Sequence, residues 1–171
     1  MCSVFRNILK GVRFVMGNEK ICCGFGHREM RQNIEARLAK EIESAIAEQG
    51  VTVFYTGGQG RFDALFASAV RTAKQKHRHI KLVLVKPYFS NELNTNKAYY
   101  EALFDDVIIP QELLGVHYKS AITQRNRFMA EQADLIICFV AHEHGGAYAA
   151  VQYAKTINKP VINLWEEPSQ N

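Results

Sequence analysis

Two adjacent glycines, Gly145 and Gly146, stand between an apolar run, Leu135 to Val140, and an alanine-rich stretch ending at Ala154. The pattern predicts a fully buried strand, a loop from Ala141 to Ala147 and a helix from Tyr148. A helix start carries unpaired backbone N–H groups at the positive end of its dipole, so it attracts anions. Glycine lets a phosphate approach that backbone with no Cβ in the way. A second loop, Thr56-Gly57-Gly58-Gln59-Gly60, leads from the run Val51 to Tyr55 into a helix-patterned segment with Asp63 at its start. Such a loop wraps a phosphate with its N–H groups, or is simply a tight strand-to-helix turn. Asp63 either complements the helix dipole or contacts a ribose hydroxyl. A third loop carries Gly26, His27 and Arg28 directly after the first apolar run. Arg28 suits bidentate binding of phosphate or carboxylate, with a solvated loop pair as the plainer reading.

Thr123 is placed to cap a helix through Gln132, which puts Arg125, Asn126 and Arg127 in its first turn. Cations there oppose the dipole unless an anion is near, so Arg125 is read as a ligand contact. Lys86 follows the third apolar run and joins the same candidate set. His142, Glu143 and His144 are too tightly spaced for a known metal-ligand pattern and read as loop polarity. No metal is expected. Neither early loop contains Gly-Lys-Ser/Thr or Gly-x-Gly-x-x-Gly, which disfavours magnesium-dependent nucleotide hydrolysis, and no cofactor is expected.

Regularly alternating elements must position these loops. Strands are expected at Lys20–Phe25, Val51–Tyr55, Lys81–Val85, Val107–Ile109, Leu135–Val140 and Pro160–Leu164. Met30, Ile34, Leu38, Ile42, Ala45 and Ile46 recur at helical spacing, with Gly50 at the C′ position. Phe62, Leu65, Phe66, Ala69, Val70 and Ala73 form a second helical stripe, and Lys97 to Phe104 a short helix. Asn91, Asn94 and Asn96 suggest loop and capping chemistry. The alternation predicts an α/β fold: a doubly wound, mainly parallel, Rossmann-like sheet with helices on both faces. Every residue-rich loop follows the carboxyl end of a strand, the rim where such sheets bind ligands, whereas the reverse connections are short.

The 171 residues divide into an extension, 1–18, and a single domain, 19–171. The extension alternates basic and apolar residues; it reads either as a membrane-surface helix or as a peripheral piece ahead of a start at Met16. The net charge of +4 is mild. The densest basic run, Lys74 to Lys81, falls where a helix should end, so nucleic acid is not expected as a partner. No run approaches the roughly 18 apolar residues of a membrane span, so no transmembrane segment is expected. Cys2, Cys22, Cys23 and Cys138 form no Cys-x-x-Cys pair; neighbouring Cys22 and Cys23 should face opposite sides of the sheet. The chain reads as cytoplasmic and reduced.

Four motifs in order, Cys22-Cys23-Gly24-Phe25-Gly26-His27-Arg28, Tyr55-Thr56-Gly57-Gly58-Gln59-Gly60-Arg61-Phe62-Asp63, Arg125-Asn126-Arg127-Phe128-Met129 and Gly145-Gly146-Ala147 with Tyr153-Ala154, resemble the YpsA-like family. That family belongs to the SLOG superfamily, with the Lonely-guy phosphoribohydrolases and DNA-processing protein A. The resemblance covers about Lys20 to Leu164 and implies a Rossmann-like fold whose ligands are nucleotides or nucleotide-derived molecules. Lonely-guy enzymes carry Arg-Lys-x-x-Met and then Pro-Gly-Gly-x-Gly-Thr-x-x-Glu. Arg125 and Met129 match the first motif, with Asn126 in the lysine position. Gly145 and Gly146 resemble the motif's glycines; with Gly146-Ala147 set on its Gly-Thr, Ala147 stands in the threonine position and Ala150, three residues on, in that of the catalytic glutamate. An alanine can neither activate water nor stabilise an oxocarbenium-like centre. The expected function is therefore non-catalytic binding or sensing of a nucleotide-type small molecule by a homo-oligomer. The expected contacts are Gly26, His27, Arg28, Thr56, Gly57, Gly58, Gly60, Asp63, Lys86, Arg125, Asn126, Gly145, Gly146 and Ala147. The alternative is an N-glycosidic hydrolase that uses Arg125 and another carboxylate: Asp63, Glu143 or Glu29. Single-stranded DNA binding is a weaker alternative.

Overall fold

The computed structural model describes residues 19–167. Six strands, β1 (Lys20–Gly26), β2 (Val51–Thr56), β3 (Lys81–Val85), β4 (Asp106–Ile108), β5 (Leu135–Phe139) and β6 (Val161–Asn163), form one sheet in the order β4-β3-β2-β1-β5-β6. All five pairings are parallel. The helices are α1 (Glu35–Ala47), α2 (Arg61–Lys74), α3 (Asn91–Thr95), α4 (Lys97–Leu103), α5 (Tyr118–Gln132) and α6 (Gly145–Thr156), with a 3-10 turn at Gln111–Leu113. The chain builds outward from β1 to β4, then returns to lay β5 on the other side of β1. That reversal puts the topological switch point between β1 and β5, where the carboxyl ends of open α/β sheets leave a crevice.

The central strands are covered on both faces, which is why they read as unbroken apolar runs. Cys22, Phe54, Leu135 and Ile137 face a core completed by Leu38, Ile42, Phe62 and Phe66 of α1 and α2. Cys23, Tyr55, Ile136 and Cys138 face the other core, closed by Met129 of α5 and Ala150, Val151 and Ala154 of α6. Cys22 and Cys23 thus point to opposite faces, as strand alternation requires. A smaller cluster of Leu84, Leu93, Tyr100, Val107 and Ile109 seals the β4 edge.

Several element boundaries depart from the sequence expectation. Met30 is buried in the first core but precedes α1, and Ile34 is the capping residue. Gly50 has the expected positive φ of 71° but lies two residues beyond the C-cap, Glu48. Residues expected as an asparagine-rich loop form α3. The largest difference concerns α5, which starts at Tyr118. His117 Nδ1 accepts the Lys119 N–H at 3.3 Å and the Ser120 hydroxyl donates to His117 O, so His117 takes the cap role assigned to Thr123. Arg125 and Asn126 therefore lie mid-helix, away from the positive end of the dipole, which gives no reason to expect an anion beside Arg125. The glycine pair also moves: α6 begins at Gly145, not Tyr148.

The basic run is drawn into ion pairs: Lys74 with Asp105, and His77 with Glu43 at 2.9 Å. No helix among the described residues is long and apolar enough to cross a membrane. The amphipathic reading of residues 1–18 lies outside the described residues.

Candidate functional site

A cavity of about 410 Å³ opens at the switch point, within the range of small-molecule sites. Its wall comes from the ends of β1 and β2, the first turn of α2, one face of α5 and the start of α6. Of the candidate residues, Gly26, His27, Arg28, Gly57, Asp63, Arg125, Asn126, Gly145, Gly146 and Ala147 line it. Gly24, Phe25, Gln59, Ile122 and Met129 complete the lining. Ile122, Arg125, Asn126 and Met129 share one helical face at three- and four-residue spacing. That signal was hidden while the helix was expected to start after Thr123.

Four candidates do not line the cavity. Thr56 is fully buried, and its hydroxyl accepts the Gly58 N–H at 3.4 Å. A Cβ on Gly58 (φ 68°) would stand 2.6 Å from Leu84 Cδ1. A Cβ on Gly60 (φ 90°) would stand 2.6 Å from Arg28 Cα. Glycine is needed at both for backbone conformation and close approach. Lys86 lies 5.3 Å from the centre of the Tyr100 ring, and burial holds its pKa below the ordinary lysine value.

Arg125 is only 3% exposed. Its Nη1 donates to Gly57 O at 2.9 Å and Val85 O at 2.8 Å, and Nε donates to Asn126 Oδ1 at 2.9 Å. One guanidinium thus ties α5 to the carboxyl ends of β2 and β3 while forming part of the cavity wall. Gly57 makes this possible, because a Cβ there would stand 2.5 Å from Arg125 Nη1. Gly57→Ala should displace the guanidinium and cost about 1–3 kcal/mol, as overpacking usually does, read as a lower urea midpoint at unchanged m. A midpoint within error of wild type would show that the guanidinium is not fixed as described.

Asp63 sits in the first turn of α2 and is 7% exposed. Its Oδ2 accepts the Gln59 N–H at 2.7 Å. Burial lifts its pKa from 3.8 to about 6, against the pull of the Gln59 bond and of Arg125. This changes the reading of the second loop. The N–H group that a phosphate would need is held by a carboxylate, and that carboxylate repels anions. The β2–α2 loop is therefore suited to hydroxyl groups, which can donate to Asp63. Anion attraction is left to the opposite wall, where the backbone N–H groups at the start of α6 are free of intrahelical partners. Gly145 has φ 88° and Gly146 has only Asn126 Nδ2, 3.9 Å away, near a Cβ position. Packing does not demand glycine at position 146.

His27 and the loop before α6 form a contact with no trace in the sequence. The His27 ring stacks on His142 with centroids 3.6 Å apart, and His142 stacks on His144 at 3.7 Å. His144 is the N-cap residue of α6. Among the described residues no group of three or more His, Cys, Asp or Glu is placed to hold a metal ion. Of the carboxylates considered as catalytic substitutes, only Asp63 lines the cavity; Glu29 and Glu143 do not. Ala150, which the resemblance sets against the Lonely-guy glutamate, is packed into the second core.

An open, all-parallel Rossmann-like sheet with a polar cleft at its switch point defines the class. Within it, the chain belongs to the YpsA family, described as the YspA SLOG family, whose sequence model matches residues 22–162. No curated protein sequence matches the chain. Three solved structures share the fold. DNA processing protein A from Helicobacter pylori, known for its single-stranded DNA binding mode, matches with a TM-score of 0.62 at 16% identity, over 89% of this chain and 68% of that one. DNA processing protein A from Streptococcus pneumoniae matches with a TM-score of 0.56 at 15% identity, over 85% of this chain but only 50% of that one. The structural-genomics target TM1055 matches with a TM-score of 0.51 at 16% identity, over 83% and 72%.

Proposed function

We propose that the protein binds a nucleotide or nucleotide-derived small molecule in the switch-point cavity, without turning it over. The observation that carries this reading is the polarity of the cavity. The Asp63 carboxylate, fixed by the Gln59 N–H, forms a hydroxyl-accepting end, and the start of α6 at Gly145 and Gly146, which has no side-chain cap bond, forms an anion-accepting end. A sugar phosphate has both halves. Phe25, Ile122, Met129 and Ala147 supply apolar wall between them.

N-glycosidic hydrolysis is the second reading, favoured by one observation. A carboxylate whose pKa lies near 6 at the cavity wall is a competent general base. Against it stands Ala150, which leaves the usual catalytic position without an acid. Incubation with nucleoside monophosphates, following free base by chromatography, separates the two. Binding without release is expected; sustained release that Asp63→Asn abolishes would replace binding with hydrolysis.

Gly146→Ala tests the anion end separately. Glycine inside a helix costs about 1 kcal/mol relative to alanine, so the variant should be as stable as wild type or somewhat more. Its nucleotide affinity should fall, because a Cβ would occupy the approach to the helix start. Unchanged affinity in titration calorimetry would place the phosphate elsewhere. Single-stranded DNA binding, known for the Helicobacter pylori protein, predicts a steep loss of affinity with salt, and a flat response would remove it. A homo-oligomer is proposed on the family resemblance alone, and sedimentation velocity reads it directly.

A further inference from the structure

The three stacked imidazoles carry an inference beyond nucleotide binding. His27 is 8% exposed, and its Nε2 is buried with no hydrogen-bond partner. It lines the cavity together with Gly145 and Gly146, while His142 and His144 extend its stack to the N-cap of α6. A buried ring nitrogen without a partner is costly, and an anion at the start of α6 offers Nε2 an acceptor once that nitrogen carries a proton. The interplanar angles of 17° and 18° hold the rings face to face, so two neighbours cannot both be charged without strong repulsion. The stack by itself therefore favours an uncharged His27.

We propose that anion binding at the start of α6 is coupled to uptake of one proton by His27, with Nε2 donating that proton to the anion as a hydrogen bond. The proton comes from solvent and forms the ring's second N–H bond; no other covalent bond is made or broken. Burial, and then proximity to His142 and His144, hold the His27 pKa below the ordinary imidazole value, so the ring enters the encounter uncharged near neutral pH. The arriving negative charge reverses that balance. The other charged groups lining the cavity are Arg28 on the same loop, Asp63 from α2 and Arg125 from α5; Glu143 stands between His142 and His144 in the sequence. Arg125 is occupied with two carbonyl groups, while Asp63 can also take up a proton as an anion arrives, so the His27 share is the uptake that His27→Gln removes. The same site would then bind its ligand more tightly as pH falls from 8 towards 6. This rests on the reading of the α6 start as the phosphate end of the cavity.

The test is calorimetric titration of the full chain at pH 7 in two buffers of unlike ionisation enthalpy, with inorganic pyrophosphate in one arm and AMP in the other. Wild type should take up nearly one proton more per bound anion than His27→Gln in both arms; the variant's amide donates a hydrogen bond without titrating, so its own uptake reports the ligands' phosphate groups and Asp63. His142→Ala keeps the measurement open should His27→Gln fail to fold. Removing the neighbouring ring should raise the His27 titration point, followed by the imidazole carbon-proton NMR signal of the ligand-free protein, and lower the uptake at pH 7. Anion binding with no proton uptake overturns the proposal, as does a His27 signal unmoved by either anion. Pyrophosphate bound with proton uptake while AMP is ignored upholds the proposal and sinks the nucleotide reading; AMP bound without uptake does the reverse.

Discussion

Arg125→Ala is expected to lower the free energy of unfolding by about 3–5 kcal/mol, the usual cost of removing one partner from a buried charged network. The guanidinium is 3% exposed and joins Gly57 O, Val85 O and Asn126 Oδ1. Truncation leaves two buried carbonyl groups short of a donor, and the Asp63 carboxylate without the Arg125 charge that pulls its pKa down. Against a total of about 5–15 kcal/mol for a domain, that is a large fraction. Arg125→Lys should fall between the two, because an ammonium group can reach one carbonyl but lacks the planar fork. Urea denaturation checks both. A loss under 1 kcal/mol for the alanine variant would show that Arg125 serves the cavity alone and not the frame that shapes it.

Asp63→Asn should do the opposite to stability and harm binding. The folded-state pKa, about 6, lies above the ordinary 3.8, so the folded protein holds its proton longer than the unfolded chain. Stability contributed by this group is thus present at acid pH, falls as pH rises from about 4 to 6, and stays lost above it. A shift of that size corresponds to about 3 kcal/mol, so the neutral amide should recover about 1–3 kcal/mol at pH 7 while still accepting the Gln59 N–H. The pH dependence between 4 and 6 should flatten in the variant. Nucleotide affinity should drop by about 10- to 100-fold, since hydrogen bonds to a charged acceptor contribute about 1.5–3 kcal/mol. A variant that gains stability and keeps full affinity would leave Asp63 as a dipole complement and nothing more.

The fold was legible because its signals are local. Strand runs, helical stripes and glycines at carboxyl ends each report on neighbouring residues, and β3 lies where its β-branched and apolar run places it. The cavity was legible for a related reason: in a parallel sheet, loops after strands share one rim whatever the strand order. The failures have physical causes. Histidine is an uncommon N-cap, so Thr123 drew the assignment and α5 was cut short. That error gave Arg125 the wrong argument, although the residue does line the cavity. From its glycines alone the second loop reads either as a phosphate cradle or as a tight strand-to-helix turn. Only the structure shows that Gly57 makes room for Arg125, Gly58 for Leu84 and Gly60 for Arg28, and that Asp63 holds the free N–H. The stack of His27 on His142 joins residues 115 positions apart, beyond any local pattern.

The measurement closest to the central claim is a thermal-shift comparison of wild type and Gly146→Ala against nucleoside mono- and diphosphates and ADP-ribose. A ligand at 100 times its Kd adds about 2.7 kcal/mol to the folded state, which moves a melting point by several degrees. At least one phosphate-bearing nucleoside should produce that shift in wild type, the matching nucleoside without phosphate should not, and Gly146→Ala should abolish or blunt it. A panel that leaves the wild-type melting point unmoved, or moves both proteins equally, would contradict the account.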